Sequence, residues 1–229
     1  MTPEHPLSIV ELRQYTLYPG MRDELVALFD REFVETQEAA GISVIGQFRD
    51  LDRDDRFVWL RGFGDMPARA RALGAFYGGP VWATHRETAN ATMVDSDDVL
   101  LLRPAGGARP AGDAAGGGLV VATICHLCEP AERAFLDTFE QVLVPALRAS
   151  GVRLLGSYVS EPAANTYPAL AVREGAQVLV WLASYATAAE HRAKRAAFER
   201  SAAAGELKRD PVRTVETLRL EATPGSRLR

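Results

Sequence analysis

The sequence predicts an α+β protein made of two halves that share one order of secondary-structure elements. Three observations support this prediction: a segment that cannot form a core divides the chain, the halves align with each other, and each half reads strand, helix, strand, strand, helix, strand. That order is typical of a ferredoxin-like unit. We therefore expect two tandem ferredoxin-like domains, residues 1–104 and 119–229, joined by a linker at 105–118.

The linker is predicted from composition. Residues 104–118 read PAGGARPAGDAAGGG, in which Pro and Gly recur and no large apolar side chain occurs. A flexible chain of this length spans about 20 Å on average, which is enough for the two halves to pack side by side.

The alignment of the halves is clearest at the second and third strands. Residues 40–48 (AGISVIGQF) lie over 150–158 (SGVRLLGSY), with both pairs of glycines in register. Residues 57–63 (FVWLRGF) lie over 179–185 (LVWLASY) if the second half has one longer loop. We interpret the match as an internal duplication, because fixed-period similarity is the signature of repeated units.

The helices follow from hydrophobic spacing and from glycine. Leu25, Phe29 and Phe33 recur on one side of the first helix, and Gly41 stands where a C-terminal cap is expected. In the second half Pro145 falls late in the equivalent helix, where we expect a kink.

Helices on one face of such a sheet leave the other face uncovered, and an uncovered apolar face needs a partner. We expect a second copy of the unit to cover it, either within the chain or between chains in a homodimer or higher homo-oligomer. Trp59 and Trp181 occupy equivalent strand positions, and we expect them in or near this buried surface.

Composition excludes several classes of protein. The 229 residues are 47% hydrophobic and 24% charged, which is typical of globular proteins. A net charge of -4 predicts no nucleic-acid partner. The sequence has neither a signal peptide pattern at its start nor an apolar run long enough to span a membrane, so we expect a cytoplasmic location. The preference for Arg over Lys suggests a bacterial source.

Two motifs carry a family resemblance. The first is residues 9–17 (IVELRQYTL) followed by Pro19 and Gly20; the second is 79–86 (GPVWATHR), continuing through ANATM at 89–93 to 95–104. Over residues 8 to 104 these resemble the NIPSNAP family of the dimeric α/β-barrel superfamily. The second half lacks the Pro-Gly turn and the Trp-x-x-His-Arg segment, and it resembles a diverged copy.

The resemblance implies two facing sheets that form a barrel whose lumen binds a small hydrophobic or aromatic molecule. Relatives include monooxygenases, isomerases and haem enzymes. We therefore expect either a cofactor-independent tailoring enzyme or a non-catalytic binding or interaction protein. A pocket that gathers Glu11, Tyr15, His85 and Arg86 would favour the enzyme, and the same residues paired with one another would favour the second class.

The opening strand supplies one group of candidate site residues. Alternation places Glu11, Arg13 and Tyr15 on a single face. Glu11 and Arg13 could line the lumen and orient a polar substrate, with Tyr15 as a hydrogen-bond donor. The alternative is a cross-strand ion pair on a solvent-facing or interface surface.

A helix over 80–93 supplies the second group. Trp82, His85 and Arg86 share one of its faces: Trp82 could stack on an aromatic ligand, His85 act as a base, and Arg86 bind an anionic oxygen. The alternative is a core tryptophan with structural polar neighbours. The predicted catalytic residues are His85, Arg86 and Tyr15, and the predicted substrate-binding residues are Glu11, Arg13, Trp59, Tyr77, Trp82 and Asn90.

The cysteines and histidines predict no metal and no cofactor. Cys125 and Cys128 form a single C-x-x-C without a second ligand pair, and two partly buried thiols are the simplest interpretation. Only His85 and His126 are placed to hold a haem, and we expect none. His191 aligns with Arg69 and is predicted to be solvated.

Overall fold

In the computed structural model, which describes residues 6–105 and 118–228, eight antiparallel strands close into one barrel in the order β1-β3-β2-β8-β5-β7-β6-β4. The strands are β1 (Ile9–Leu17), β2 (Ser43–Asp50), β3 (Arg56–Phe63), β4 (Met93–Pro104), β5 (Leu119–Leu127), β6 (Arg153–Ser160), β7 (Val178–Tyr185) and β8 (Val212–Ala222). The helices are α1 (Arg22–Leu28), α2 (Val34–Ala39), α3 (Met66–Tyr77), α4 (Pro80–Ala91), α5 (Arg133–Thr138), α6 (Val144–Ala149) and α7 (Ala188–Glu199).

Each half contributes four neighbouring strands, and the barrel closes within one chain. Two seams join the halves: β2 pairs with β8 and β4 pairs with β6, each through three residue pairs. The uncovered sheet faces therefore cover each other, as expected. The predicted linker lies outside the described residues except at its ends, where Ala105 is buried and its N–H donates to the Ser157 carbonyl. The domain boundaries stay predictions.

The barrel interior is occupied by a contiguous cluster of apolar side chains from both halves. Val10 and Leu12 point inward from β1, and they meet residues such as Ile124 and Leu218 from the other half. Glu11 and Arg13 were expected to line this interior as a ligand-binding lumen. That position is wrong, because apolar side chains fill the interior. The side chains on the opposite face of β1 point out of the barrel toward the helices.

Two outer cores lie between the barrel wall and the helices, one in each half. Trp59 belongs to the first and Trp181 to the second, and both are buried, with 2% and 5% of their surfaces exposed. Their burial agrees with the prediction, but their location does not. They pack beneath their own helices, not between the two sheets.

The first long helix of each half contains a π-helical turn, Phe29–Phe33 between α1 and α2 and Phe139–Leu143 between α5 and α6. Gly41 and Gly151 follow these helices with φ of 90° and 78°, as expected for C-terminal caps. Pro145 is the second residue of α6, which follows the second π-turn. Because the first half has the same irregularity without a proline, Pro145 does not account for it. Within the described ranges, no helix is long and apolar enough to cross a membrane.

Candidate functional site

A buried group of four charged side chains, the Glu11 cluster, lies between the first-half sheet and its helices. The Glu11 carboxylate is its centre: Oε2 accepts hydrogen bonds from Arg13 Nη1 at 2.6 Å and Arg61 Nε at 2.8 Å, and Oε1 accepts from Arg69 Nε at 2.6 Å. The strand register places Glu11 directly opposite Arg61, and Arg69 reaches the carboxylate from α3.

The Glu11 cluster carries more positive than negative charge. Three guanidinium groups share one carboxylate, and no other carboxylate in the described ranges lies within 4.0 Å of them. All four side chains are almost completely buried. The Nη2 atoms of Arg61 and Arg69 have no hydrogen-bond partner within the part of the chain that the structure describes. Unpaired buried N–H groups and charges are costly, so these atoms are suited to binding an anionic group.

The electrostatics fix the protonation state of Glu11. Burial alone would raise the pKa of Glu11, but the charges of Arg61, Arg13 and Arg69 outweigh burial and hold that pKa well below its ordinary value. Glu11 is therefore a permanent counter-charge, and it is a poor base. Burial alone would lower the pKa of the Arg13 guanidinium, but Tyr15, Glu11 and Tyr77 raise that pKa above its ordinary value, so Arg13 stays charged.

Two tyrosines and a glutamine join the cluster to an aromatic cavity. The Tyr15 hydroxyl accepts from Arg13 Nε at 3.0 Å, and the Tyr77 hydroxyl accepts from Arg61 Nη1 at 3.3 Å. Burial raises the pKa of Tyr15, so its hydroxyl stays protonated at neutral pH. Tyr15, Tyr77 and Gln37 line the cavity together with Phe29, Phe33, Trp59, Phe76, Trp82 and Met93.

The cavity is small as the structure stands, with a volume of about 30 Å³, which suffices for about one water molecule. Helix α4 covers it: Trp82 and Ala89 face the cavity, and Ala89 is the residue of α4 that is fully buried. A larger ligand therefore requires α4 to shift.

The second half contributes a loop, residues 161–177, that packs on the Glu11 cluster. Arg69 Nη1 donates to Asn165 Oδ1 at 2.9 Å and to Thr166 Oγ1 at 3.2 Å. The Tyr167 ring stacks on Tyr77, with centroids 6.0 Å apart. The site is thus completed by residues from both halves.

Comparison with known families decides which family the first half represents. The NIPSNAP family model matches residues 10–108, which include β1 to β4. The first half of the chain is a NIPSNAP domain. No curated protein matches the sequence.

Solved structures similar to the whole chain share its fold. A candidate monooxygenase from Fusobacterium nucleatum is 10% identical, with 95% of this chain and 93% of that one covered and a TM-score of 0.62. A second candidate monooxygenase, from Lactobacillus acidophilus, is 14% identical, with 96% and 98% covered and a TM-score of 0.62. An anthrone oxidase-like protein is 11% identical, with 94% and 91% covered and a TM-score of 0.55.

The fold does not require the Glu11 cluster. In the alignment of the halves, the positions of Glu11, Arg61 and Arg69 in the NIPSNAP domain correspond to Val121, Ala183 and His191. The second half builds the same order of four strands, with a helix after the first and after the third strand, without buried arginines at these positions. The cluster is therefore a special feature of the NIPSNAP domain, and a function explains it better than stability does.

The structure brings some of the predicted site residues together. Glu11, Arg13, Tyr15, Trp59, Tyr77 and Trp82 all lie in the Glu11 cluster or on the cavity walls of the NIPSNAP domain. Their shared location is on the helix side of the sheet, outside the barrel interior.

The remaining predicted residues lie elsewhere on α4. Arg86 and Asn90 are exposed, and His85 is half-buried against Phe33 with Nε2 3.6 Å from Glu32. Within the described residues, the pocket of His85, Arg86, Tyr15 and Glu11 that would favour an enzyme is not formed.

Sequence analysis missed Arg61, Arg69 and Gln37. An arginine within the apolar run FVWLRGF was the available signal, because a charged residue in a strand that is buried on both faces needs a partner. The loop residues Asn165 and Thr166 gave no local signal.

The remaining titratable residues do not form a metal site. No group of three or more His, Cys, Asp or Glu that could hold a metal occurs in residues 6–105 and 118–228. Cys125 is completely buried, which raises its pKa to about 12, whereas Cys128 is exposed. Two partly buried thiols were expected, whereas the structure has one buried and one exposed thiol.

Proposed function

We propose that the NIPSNAP domain binds a small aromatic molecule that carries an acidic oxygen, between its sheet and helices α3 and α4. The observation that carries this proposal is the surplus of buried positive charge beside an aromatic cavity. An anionic oxygen of the ligand would accept hydrogen bonds from Arg61 and Arg69, while Trp59, Tyr77 and Trp82 would pack against its rings.

The two halves differ in charge, because only the first contains the buried Glu11 cluster. We infer that both halves are ferredoxin-like repeats of one ancestral unit, and that the ligand site stayed charged in the first repeat only. The equal placement of the π-turns and of the capping glycines in the two halves supports this inference.

The reaction that best fits this site is oxygenation without a cofactor. In a substrate with a CH₂ group beside a carbonyl, the arginines would stabilise the enolate form, which is the electron donor. Dioxygen then supplies one oxygen atom to the carbon and releases the other as water, so CH₂ and O₂ become C=O and H₂O. The names of the structures with a similar fold, two candidate monooxygenases and an anthrone oxidase-like protein, are consistent with this class of reaction.

A specific observation favours the alternative of a non-catalytic binding protein. Glu11 is consumed in ion pairs with Arg13, Arg61 and Arg69, and His85 and Arg86 lie apart from the cluster. Proton removal would then depend on solvent or on the acidity that the arginines give to the ligand.

Anthrone separates the two functions, because its binding and its oxidation are measured separately. Dioxygen uptake is followed with an oxygen electrode, with the spontaneous rate subtracted, and binding by tryptophan quenching under nitrogen. We expect Arg69→Met to lower the enzymatic rate by about 10²-fold, the usual effect of losing one donor to an oxyanion. The Arg49→Met variant, which changes a half-buried arginine outside the Glu11 cluster and its cavity, should leave the rate unchanged.

Binding without dioxygen uptake would favour the non-catalytic function. Absence of both binding and uptake across phenolic and enolic aromatics would contradict the proposal.

A further inference from the structure

The second half contains a cavity that is larger than the one beneath α4. Its volume is about 370 Å³, within the range of small-molecule sites. Its walls are formed mainly by Trp181, Tyr185 and Phe198 with aliphatic neighbours, beneath α7 and the 3₁₀ helix Ala202–Lys208.

The cavity occupies the position that α4 covers in the first half. There Trp82 packs against Phe33 and Phe76, and only about 30 Å³ remains open. No equivalent of α4 occurs within residues 118–228, and the short 3₁₀ helix leaves the space beneath it unfilled. The absence of the Trp-x-x-His-Arg segment therefore has a structural consequence.

His191 supplies a polar group that has no partner. Its side chain lines the cavity beside the Tyr185 ring, at 4.9 Å between centroids, and only 6% of the residue is exposed. Neither ring nitrogen has a hydrogen bond within residues 6–105 and 118–228. Its nitrogens are not among the completely buried atoms without a partner, so they open onto the cavity, where a ligand can form a hydrogen bond with them. The prediction that His191 is solvated is wrong.

The surroundings of His191 indicate the kind of partner. Burial and the neighbouring charges of Arg195, Arg219 and Arg192 lower the pKa of His191, so the ring is neutral near pH 7 and offers one acceptor nitrogen. Thr123 and Thr217, cross-strand neighbours on β5 and β8, place hydroxyls on the cavity floor. Arg195 and Lys208 make the mouth positive, with Glu199 paired to Arg195. This arrangement favours a ligand with an acidic O–H on a flat apolar body.

We propose that this cavity is a second binding site, for a hydroxyaromatic molecule of one or two rings whose O–H donates to the His191 imidazole. The rings pack against Trp181, Tyr185 and Phe198. This site is independent of the function proposed for the NIPSNAP domain, because it shares no residue with the Glu11 cluster or its cavity.

The test uses 2-naphthol and 2-methoxynaphthalene, which differ in the ability to donate a hydrogen bond. Affinities are measured by isothermal titration with the full chain. We expect 2-naphthol to bind at least 10-fold more tightly than 2-methoxynaphthalene. His191→Phe should remove this difference, and Ala204→Phe, which fills the cavity, should remove one binding site per chain for both probes.

Two controls make the result specific. His126→Phe introduces the same change at a half-buried histidine outside the cavity, and it should leave both affinities unchanged. The melting temperature of each variant shows whether it is folded. Because the His191 ring has no hydrogen bond in the described residues, His191→Phe is expected to fold.

Three results would overturn the proposal: no binding of 2-naphthol by the wild type, binding that neither His191→Phe nor Ala204→Phe changes, or equal affinities of the wild type for the two probes. The second result would assign the probe to another site, and the third would contradict the class of ligand.

Discussion

A single hydroxyl group in the barrel interior lacks a hydrogen-bond partner. Tyr158 is completely buried among apolar side chains, and its hydroxyl has no partner in the described part of the chain. Its ring lies over Gly156, where an added Cβ would come within 2.7 Å of the hydroxyl oxygen. In the first half, Phe48 lies over Gly46 in the same way, without a hydroxyl.

We predict that Tyr158→Phe stabilises the protein by about 1 kcal/mol, because it removes a buried polar group that is not satisfied. Urea denaturation measures the change, and the exposed Tyr18→Phe variant is the control. A loss of stability would contradict the prediction and would indicate that the hydroxyl has a partner such as a buried water.

A change at the Glu11 carboxylate should instead destabilise the protein. Glu11→Gln leaves three buried guanidinium groups without a counter-charge, and removal of one partner from a buried pair costs about 3–5 kcal/mol. Asp23→Asn, which breaks the exposed pair with Arg49, should cost less than about 1 kcal/mol. Equal effects of the two changes would contradict the role given to the cluster.

The acid stability of the protein follows from the same carboxylate. Because the folded-state pKa of Glu11 is lowered from 4.5, its stabilising effect is complete above pH 4.5 and is lost as the pH falls below that value. The wild type should lose about 1.4 kcal/mol more per pH unit there than Glu11→Gln does. Urea midpoints between pH 5 and pH 3 measure the two slopes, and parallel slopes would contradict the assignment.

The sequence predicted several residues of this site correctly, but it did not predict on which side of the sheet they lie. Alternation showed that Glu11, Arg13 and Tyr15 share a face, yet both faces of β1 are buried, and the pattern does not tell the barrel interior from the helix side. Arg61 and Arg69 were not predicted as site residues, because only their long-range contacts with Glu11 place them in the site.

Among the elements, α4 is the least firmly held helix over the NIPSNAP cavity. Its one completely buried residue is Ala89, whereas α3, of equal length, buries Arg69, Ala72, Leu73 and Phe76. We predict that amides of α4 exchange with deuterium faster than those of α3, because local opening is easiest where few side chains are buried. Mass spectrometry of peptides from both helices tests this, and equal protection would contradict an opening α4.

The order of the elements was predictable, and the exposure of α4 was not. Hydrophobic spacing and the repeated glycines fix strands, helices and caps through local rules. Helical periodicity also placed Trp82, His85 and Arg86 on one face, but it does not tell whether that face is buried. The structure buries part of it at Trp82 and leaves Arg86 in solvent.

At the scale of the whole molecule, the two halves share a single interior, so they should unfold together. We predict one cooperative transition for the full chain. Residues 1–105 and 118–229 expressed separately should dimerise or aggregate, because each alone exposes the apolar face that lines the barrel. Calorimetry and analytical ultracentrifugation measure the two outcomes. Two stably monomeric halves would contradict this dependence.

The short seams of the barrel have a consequence for assembly. In the described residues the strand pairing covers three residue pairs between β2 and β8 and three between β4 and β6, whereas strands within each half pair over longer stretches. When a chain opens at these seams, its strand edges and the apolar face of each half are exposed. A second open chain exposes the same edges and the same face, and it can therefore replace the half that has moved away. Two chains can therefore exchange halves and rebuild both barrels, which makes domain swapping the natural route from this single-chain barrel to a dimer.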